Sequence, residues 1–196
     1  MEENYKKKLV IVGDGNTGKT CLLTVLCKGE FPDETTPTTF DIFTKEYDVG
    51  DIVIELTLWD TSGQEEYERL RPLSYSDSDV ILICFSIDSP TSLLNIPEIW
   101  MPEVEYFCPD VPIVLVGTKK DLRHNPIAIN DLTKRKLSPV SYEEGEELAK
   151  KLNLYSYVEC SSLTKEGVYN VFDTACKATL RKKKRCKCKC CKCVIL

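Results

Sequence analysis

The chain has 196 residues, 42% of them apolar, and a formal net charge of −5. That length supports one domain with a sizeable core, and the apolar fraction excludes an intrinsically disordered chain. No apolar run approaches the roughly 20 residues needed to cross a bilayer. The basic lead-in Met1–Lys8 has no apolar stretch of secretory type, so a signal sequence is not expected.

Charge and cysteine are both segregated. Arg181–Lys192 carries eight Lys/Arg and no acid, leaving 18 basic against 31 acidic residues elsewhere. An acidic body with a basic tail points to the tail as the part that meets a polyanion. Of the 11 cysteines, Cys186, Cys188, Cys190, Cys191 and Cys193 crowd the tail. The rest (Cys21, Cys27, Cys84, Cys108, Cys160, Cys176) are scattered. In the reducing compartment expected here, disulfides explain them poorly.

In chain order, Lys8–Val12 reads as a strand and Gly18–Lys28 as a helix. Between them lies Gly13-Asp14-Gly15-Asn16-Thr17-Gly18-Lys19-Thr20, which fits G-x-x-x-x-G-K-[ST]. Glycines let consecutive N–H groups curl inward around phosphate oxygens. The helix start adds its dipole, Lys19 reaches the outer phosphates, and the Thr20 hydroxyl can ligate Mg²⁺. Gly29–Phe40 is polar and proline-punctuated and reads as a mobile loop. Ile42–Val49 and Ile52–Trp59 form a hairpin about Gly50-Asp51. Asp60-Thr61-Ser62-Gly63-Gln64 follows. An acid after such a strand can hold Mg²⁺ through water, and Gly63 can bring its N–H close to a γ-phosphate.

Val80–Ser86 and Ile113–Gly117 read as buried strands. Pro90–Phe107 reads as a helix interrupted at Pro97 and Pro102. Arg123–Leu137 is a charged excursion of weak helical character, with an exposed His124. Tyr142–Leu152 is an amphipathic helix, Tyr157–Glu159 a short strand, and 165–180 the last helix. Alternating strands and helices imply a mostly parallel sheet, with ligands at the strands' carboxyl ends. Thr118-Lys119-Lys120-Asp121 fits [NT]-K-x-D. A carboxylate there accepts two hydrogen bonds from guanine that adenine cannot supply. The Lys119 stem lies along the base, and N–H groups at Ser161 and Ser162 face the guanine O6.

These stretches resemble the small GTPases of the Ras superfamily, over about residues 5–180. The Rho/Rac branch is suggested by Thr118, by Arg69-Leu70-Arg71-Pro72-Leu73-Ser74-Tyr75, and by a segment at about 123–137 similar to the Rho insert. The resemblance implies a single α/β P-loop NTPase domain over 1–180. Its six-stranded, mostly parallel sheet would have helices on both faces, followed by a disordered tail over 181–196. It implies GTP/GDP and Mg²⁺ as cofactors, with Thr20 and Thr38 as metal ligands and Asp60 acting through water. Gly13 through Cys21, Phe31, Thr38, Asp60, Gly63, Thr118, Lys119, Asp121 and Ser161-Ser162-Leu163 would contact nucleotide. Phe31 would cover the base, and Lys19, Gly63 and Gln64 would be catalytic, Gln64 orienting the attacking water.

Phe31–Asp41 and Gly63–Ser74 would be the two switches, ordered by the γ-phosphate and released on hydrolysis. Effectors would bind them, and an exchange factor, a GTPase-activating protein (GAP) and a dissociation inhibitor would regulate them. No arginine stands at an internal finger position, so a GAP would supply it, a contribution of about 10⁵-fold in Ras. Gly15 and Gln64 keep the residues of a competent hydrolase. Five positions depart from the family: Asn16 and Thr17, Thr35 for the usual Tyr, Thr39, and Ser62 for Ala. An open Thr35 lid would speed exchange, which keeps a mainly GTP-bound scaffold as the alternative. A nucleotide kinase would share the phosphate loop but need neither Asp121 nor a lipid tail.

Cys193-Val194-Ile195-Leu196 is a C-a-a-X end, and its Leu favours geranylgeranylation. One lipid holds a membrane weakly, so the basic run and palmitoylation at Cys186, Cys188, Cys190 or Cys191 would add the second signal. A soft-metal site at these cysteines lacks a neighbouring His. Nucleic acid is not an expected partner, because no aromatic residue interleaves the charges. A monomer at the cytoplasmic face of cell membranes, chiefly the plasma membrane, is expected, with a role in actin regulation by family analogy.

Overall fold

The computed structural model describes residues 4–33, 38–50 and 52–180. Six strands form one sheet in the order β2-β3-β1-β4-β5-β6. They are β1 (Asn4–Val12), β2 (Phe40–Val49), β3 (Ile52–Thr61), β4 (Val80–Ser86), β5 (Ile113–Thr118) and β6 (Ser156–Glu159). Only β2, paired to β3 through a hairpin with Gly50 at φ 64°, runs antiparallel. The helices are α1 (Lys19–Lys28), α2 (Pro90–Asn95), α3 (Met101–Phe107), α4 (Pro126–Lys134), α5 (Tyr142–Lys151) and α6 (Val168–Leu180). The α/β architecture expected from the alternating pattern is the one observed.

Strand alternation builds the two cores. In β1, Leu9 and Ile11 join Leu22, Leu23, Phe172 and Ala175 of α1 and α6 on one face. Val10 and Val12 point to the other, among Ile96, Trp100, Val104 and Ala149. Likewise Leu82 and Cys84 of β4 face one layer while Ile81, Ile83 and Phe85 face the second. All seven residues of β4 are buried, as an interior parallel strand requires. Among the described residues no helix is long and apolar enough to cross a membrane.

β1 and β2 start earlier and α6 later than the sequence expectation, and three further differences have a clear physical cause. β3 runs through Asp60 and Thr61, because Asp60 pairs with both Asp41 and Ile11 and so stays in the ladder. The predicted helix 90–107 is three pieces: α2, a π turn at Ile96–Trp100, and α3. Pro97 lacks an N–H for the α ladder, and the wider turn absorbs the break. The 123–137 excursion contains a defined helix, α4, started by Asn125, whose side chain accepts from the Ile127 and Ala128 amides. His124 is exposed.

β6 and the segment just before α5 are pinned to the loop after β5 by one cluster. Arg123 grips both oxygens of Glu159 and donates from Nε to the Val140 carbonyl at 2.9 Å. The Tyr157 hydroxyl also donates to Glu159, at 2.6 Å. Burial pushes the Glu159 carboxyl up, but the hydrogen bonds from Arg123 and Tyr157 together hold it below the usual range. A carboxyl depressed on folding stabilises the fold above its unfolded pKa, and that contribution is lost as pH falls through the folded value. Glu159→Gln is therefore expected to cost about 2 kcal/mol at pH 7, discounted for the partial exposure of Arg123, or roughly 4–8 °C in Tm. The gap between variant and wild type should narrow in thermal melts as pH falls from 7 through the ordinary glutamate range, about 4.3, and on below it. A gap of the same size at pH 7 and pH 3.5 would contradict this.

Candidate functional site

The carboxyl ends of β1, β3, β4 and β5 meet at one edge. There the loop Gly13–Gly18 connects β1 to α1. A Cβ on Gly13 would lie 2.1 Å from the Cys84 carbonyl oxygen, so β4 passes too close for any side chain, and its φ is 135°. Asn16 and Gly18 also have positive φ, 62° and 84°, which curls the loop inward. No side chain caps α1 at Gly18, so its first N–H groups remain available to an anion.

Lys19 is 6% exposed, and its Nζ donates to the Gly13 and Asp14 carbonyls at 2.7 and 2.8 Å. Among the described residues it pairs with no carboxylate. Burial pushes its pKa down. A buried ammonium held only by neutral carbonyls suits an anionic ligand.

The hydroxyls of Thr20 and Thr38 lie 2.6 Å apart. Beside them Asp60 is fully buried, and neither carboxylate oxygen has a hydrogen-bond partner among the described residues. Burial pushes its pKa up to about 6, with Thr20 and Lys19 pulling the other way. An orphaned buried carboxylate next to two hydroxyls fits a hard cation. Among the described residues no group of three or more His, Cys, Asp or Glu is placed to hold a metal. One carboxylate with two hydroxyls suits Mg²⁺, which keeps several of its waters.

Lys19, Thr20 and Thr38 line a cleft of about 500 Å³ together with Gly15, Asn16, Gly18, Cys21, Phe31, Gly63, Gln64 and Lys119, and the fully buried Asp60 lies beneath its surface. Gly63 closes one side: a Cβ on it would lie 2.3 Å from the Gly13 carbonyl oxygen and 2.5 Å from the Gly15 nitrogen. Phe31 stands at the rim, 41% exposed.

Residues 8–181 match the family model of the Ras family. The chain belongs to that family. Ras-family domains bind GTP and GDP with Mg²⁺ and hydrolyse GTP as signalling switches. The described cleft has the polar groups such a ligand pair needs.

Against this Ras-family frame, several residues expected to face nucleotide do something else with their side chains. Thr118 is 1% exposed, and its hydroxyl is shared between the Thr17 and Phe85 carbonyls. It fastens the loop after β5 to the phosphate loop instead of facing the cleft. Thr17 is buried, and its hydroxyl donates to the Asp14 carbonyl at 2.8 Å. Asp14 turns its carboxylate away, toward Asn95 and Trp100. The Ser161 N–H is taken by the Glu166 carbonyl at 2.8 Å, so of the two amides expected to face the base only that of Ser162 is left for it. Leu163 is 60% exposed and lies off the cleft.

Asp121 is held by the Ser161 hydroxyl, whose oxygen also accepts from the Thr164 amide. The Asp121 and Ser161–Ser162 pair thus forms its own corner, adjoining the cleft through Lys119 and Thr118. Lys119, at φ 56°, extends to Asp88, 3.4 Å away. The sequence reading gave no role to Asn95, Trp100 or Glu103, and named Arg71 only as part of the branch run and of the second switch. Only the prolines at 97 and 102 hinted that the helix carrying Asn95, Trp100 and Glu103 was irregular.

Proposed function

We propose that this chain is a Rho-type GTPase that cycles between GTP and GDP, with Mg²⁺ bound, as a membrane-anchored switch in actin regulation. The observation behind it is the convergence of Lys19, Thr20, Thr38, Asp60 and Gly63 on one cleft. Mg²⁺ supplies charge neutralisation between the outer phosphates. The chain's own parts do the rest. Lys19 and the loop amides bind phosphate, Thr20 and Thr38 would hold the metal with Asp60 acting through water, and Asp121 reads guanine. Gln64, exposed at the cleft's edge, orients the attacking water, and a GAP supplies the arginine. What supports the Rho branch is the capped helix α4 in the insert, together with Thr118 and the Arg69–Tyr75 run.

Effectors would meet the two switches. An apolar groove of about 420 Å³ joins them, lined by Thr39, Phe40, Trp59, Tyr67, Leu70 and Leu73. Thr35 and the tail cysteines lie outside the described residues, as does the whole 181–196 segment. The anchor rests on sequence alone: geranylgeranyl at Cys193, with basic residues and palmitoyl at Cys186, Cys188, Cys190 or Cys191 as the second signal. Exchange factor, GAP and dissociation inhibitor are the regulators of this reading, and the cytoplasmic face of the plasma membrane its place.

The test uses GTP labelled on both γ-phosphate and base, followed for phosphate loss and nucleotide release separately. Slow hydrolysis, strongly accelerated by a Rho-class GAP, is expected. Chelating Mg²⁺ should speed release of both nucleotides by about tenfold or more, since the buried Asp60 carboxylate and the phosphates would then share the site with no cation to offset their charge. Release outrunning hydrolysis, with no GAP response, would replace the switch with the GTP-loaded scaffold.

A further inference from the structure

Asp14 of the phosphate loop is tied to the far side of the domain. Its Oδ2 accepts from Asn95 Nδ2 and its Oδ1 from Trp100 Nε1, both at 2.7 Å. Residues five apart on an α-helix point about 140° away from one another. The π turn Ile96–Trp100, closed by the Met101 amide on the Ile96 carbonyl, adds the residue that brings both donors to one face. Pro97 removes a donor from the α ladder inside that turn, which favours the wider geometry.

Trp100 then serves as a platform. The Arg71 guanidinium lies over its ring, 4.5 Å from the centroid. Arg71 is 6% exposed. Its Nη1 donates to Glu103 at 2.7 Å, and Glu103 also accepts from the Tyr75 hydroxyl at 2.6 Å. Its Nε donates to the Ser62 carbonyl at 3.1 Å, and Nη2 reaches the Gln64 carbonyl weakly at 3.5 Å.

The Ser62 carbonyl and the Gly63 N–H belong to one planar trans peptide, in which they point in opposite directions. Holding that carbonyl therefore sets the direction of the Gly63 N–H. Gly63 itself rests against Gly13 and Gly15, so its amide is presented at the phosphate loop.

We infer that Arg71 is a positioning residue: braced by Trp100 and Glu103, it clamps the Ser62–Gly63 peptide so that the Gly63 N–H meets the γ-phosphate. The brace continues through Trp100 to Asp14, so the phosphate loop and the second switch share one rigid mount. This rests on the GTPase reading above and goes beyond it by naming what orients the γ-phosphate sensor.

The test compares full-length wild type with Arg71→Lys and Trp100→Phe. Lysine keeps a cation for Glu103 but loses the fork that reaches Ser62. Phenylalanine keeps a ring under Arg71 but loses the N–H to Asp14. Single-turnover GTP hydrolysis and the separate release rates of GTP and GDP are measured with Mg²⁺. Arg71→Lys is expected to slow hydrolysis roughly ten- to a hundredfold. It should also speed GTP release relative to GDP release, because only GTP has the phosphate that the Gly63 amide meets. Trp100→Phe should shift the same two quantities less. General loosening of the fold would release both nucleotides alike, and that result would overturn the inference. So would Arg71→Lys hydrolysing within twofold of wild type with an unchanged GTP/GDP release ratio. A wild type that holds no GTP, or never hydrolyses it, would sink the GTPase reading and this role with it.

Discussion

Replacing Asp121 by alanine is expected to lower the preference for guanine over adenine nucleotides by about 10⁴-fold, the discrimination that a buried, unsatisfied polar group can impose. The carboxylate is preoriented for this: one oxygen accepts from the Ser161 hydroxyl, itself fixed by the Thr164 amide. Arg123, two residues on, locks the same loop to Glu159 and the Val140 carbonyl. A base lacking the guanine donor pair would leave the remaining oxygen desolvated and unpaired, and alanine removes that penalty. Competition of ATP against labelled GTP reads the ratio directly. A ratio unchanged in Asp121→Ala would mean that the base is read elsewhere.

Gly63→Ala is expected to cut single-turnover GTP hydrolysis by on the order of 10²–10³-fold, the usual cost of losing one preorganised donor at a charge-developing oxygen. The added methyl would sit 2.3 Å from the Gly13 carbonyl oxygen and 2.5 Å from both the Asp14 carbonyl carbon and the Gly15 nitrogen. All three are backbone atoms of a loop that Thr17, Lys19 and Thr118 already hold by hydrogen bonds to its carbonyls. The loop cannot yield, so the Gly63 segment must withdraw and take its amide away from the γ-phosphate. GDP lacks that phosphate, and its affinity should stay within a few-fold of wild type. Equal loss of GTP and GDP binding would show instead that the substitution deforms the phosphate loop itself.

Much of the site is visible in the residues because its chemistry is local. The loop Gly13–Thr20 needs glycines, a lysine and a hydroxyl at fixed spacing, since the backbone wraps the anion by itself. Asp60 was visible as an acid ending an apolar run. That the run keeps Asp60 inside the ladder, with both oxygens orphaned, depends on pairing with Ile11 and Asp41 from other strands. Thr20 and Thr38 could each be named, but their 2.6 Å contact joins residues 18 positions apart, which no local pattern announces.

Two motif residues turn their side chains away from the cleft for one shared cause. Asp14 and Thr118 sit inside binding motifs, so their side chains read as ligand contacts. Each is instead spent on a partner far along the chain: Asp14 on Trp100, 86 positions away, and Thr118 on Thr17, 101 positions away. No periodicity announces such pairs, because they arise only when helices pack on the sheet. Arg71 is the extreme case. It lies in a run that marks the family branch, yet its part is set by the π turn at Ile96–Trp100, by a stacked indole and by the half-buried Glu103. The sequence by itself determined the strand order's ingredients, the phosphate loop and the class of ligand, because short-range backbone geometry and residue chemistry suffice for those. Only the tertiary structure decided which motif residues face the cleft and which brace it, because a buried polar group is satisfied by whatever the packing brings within hydrogen-bond reach.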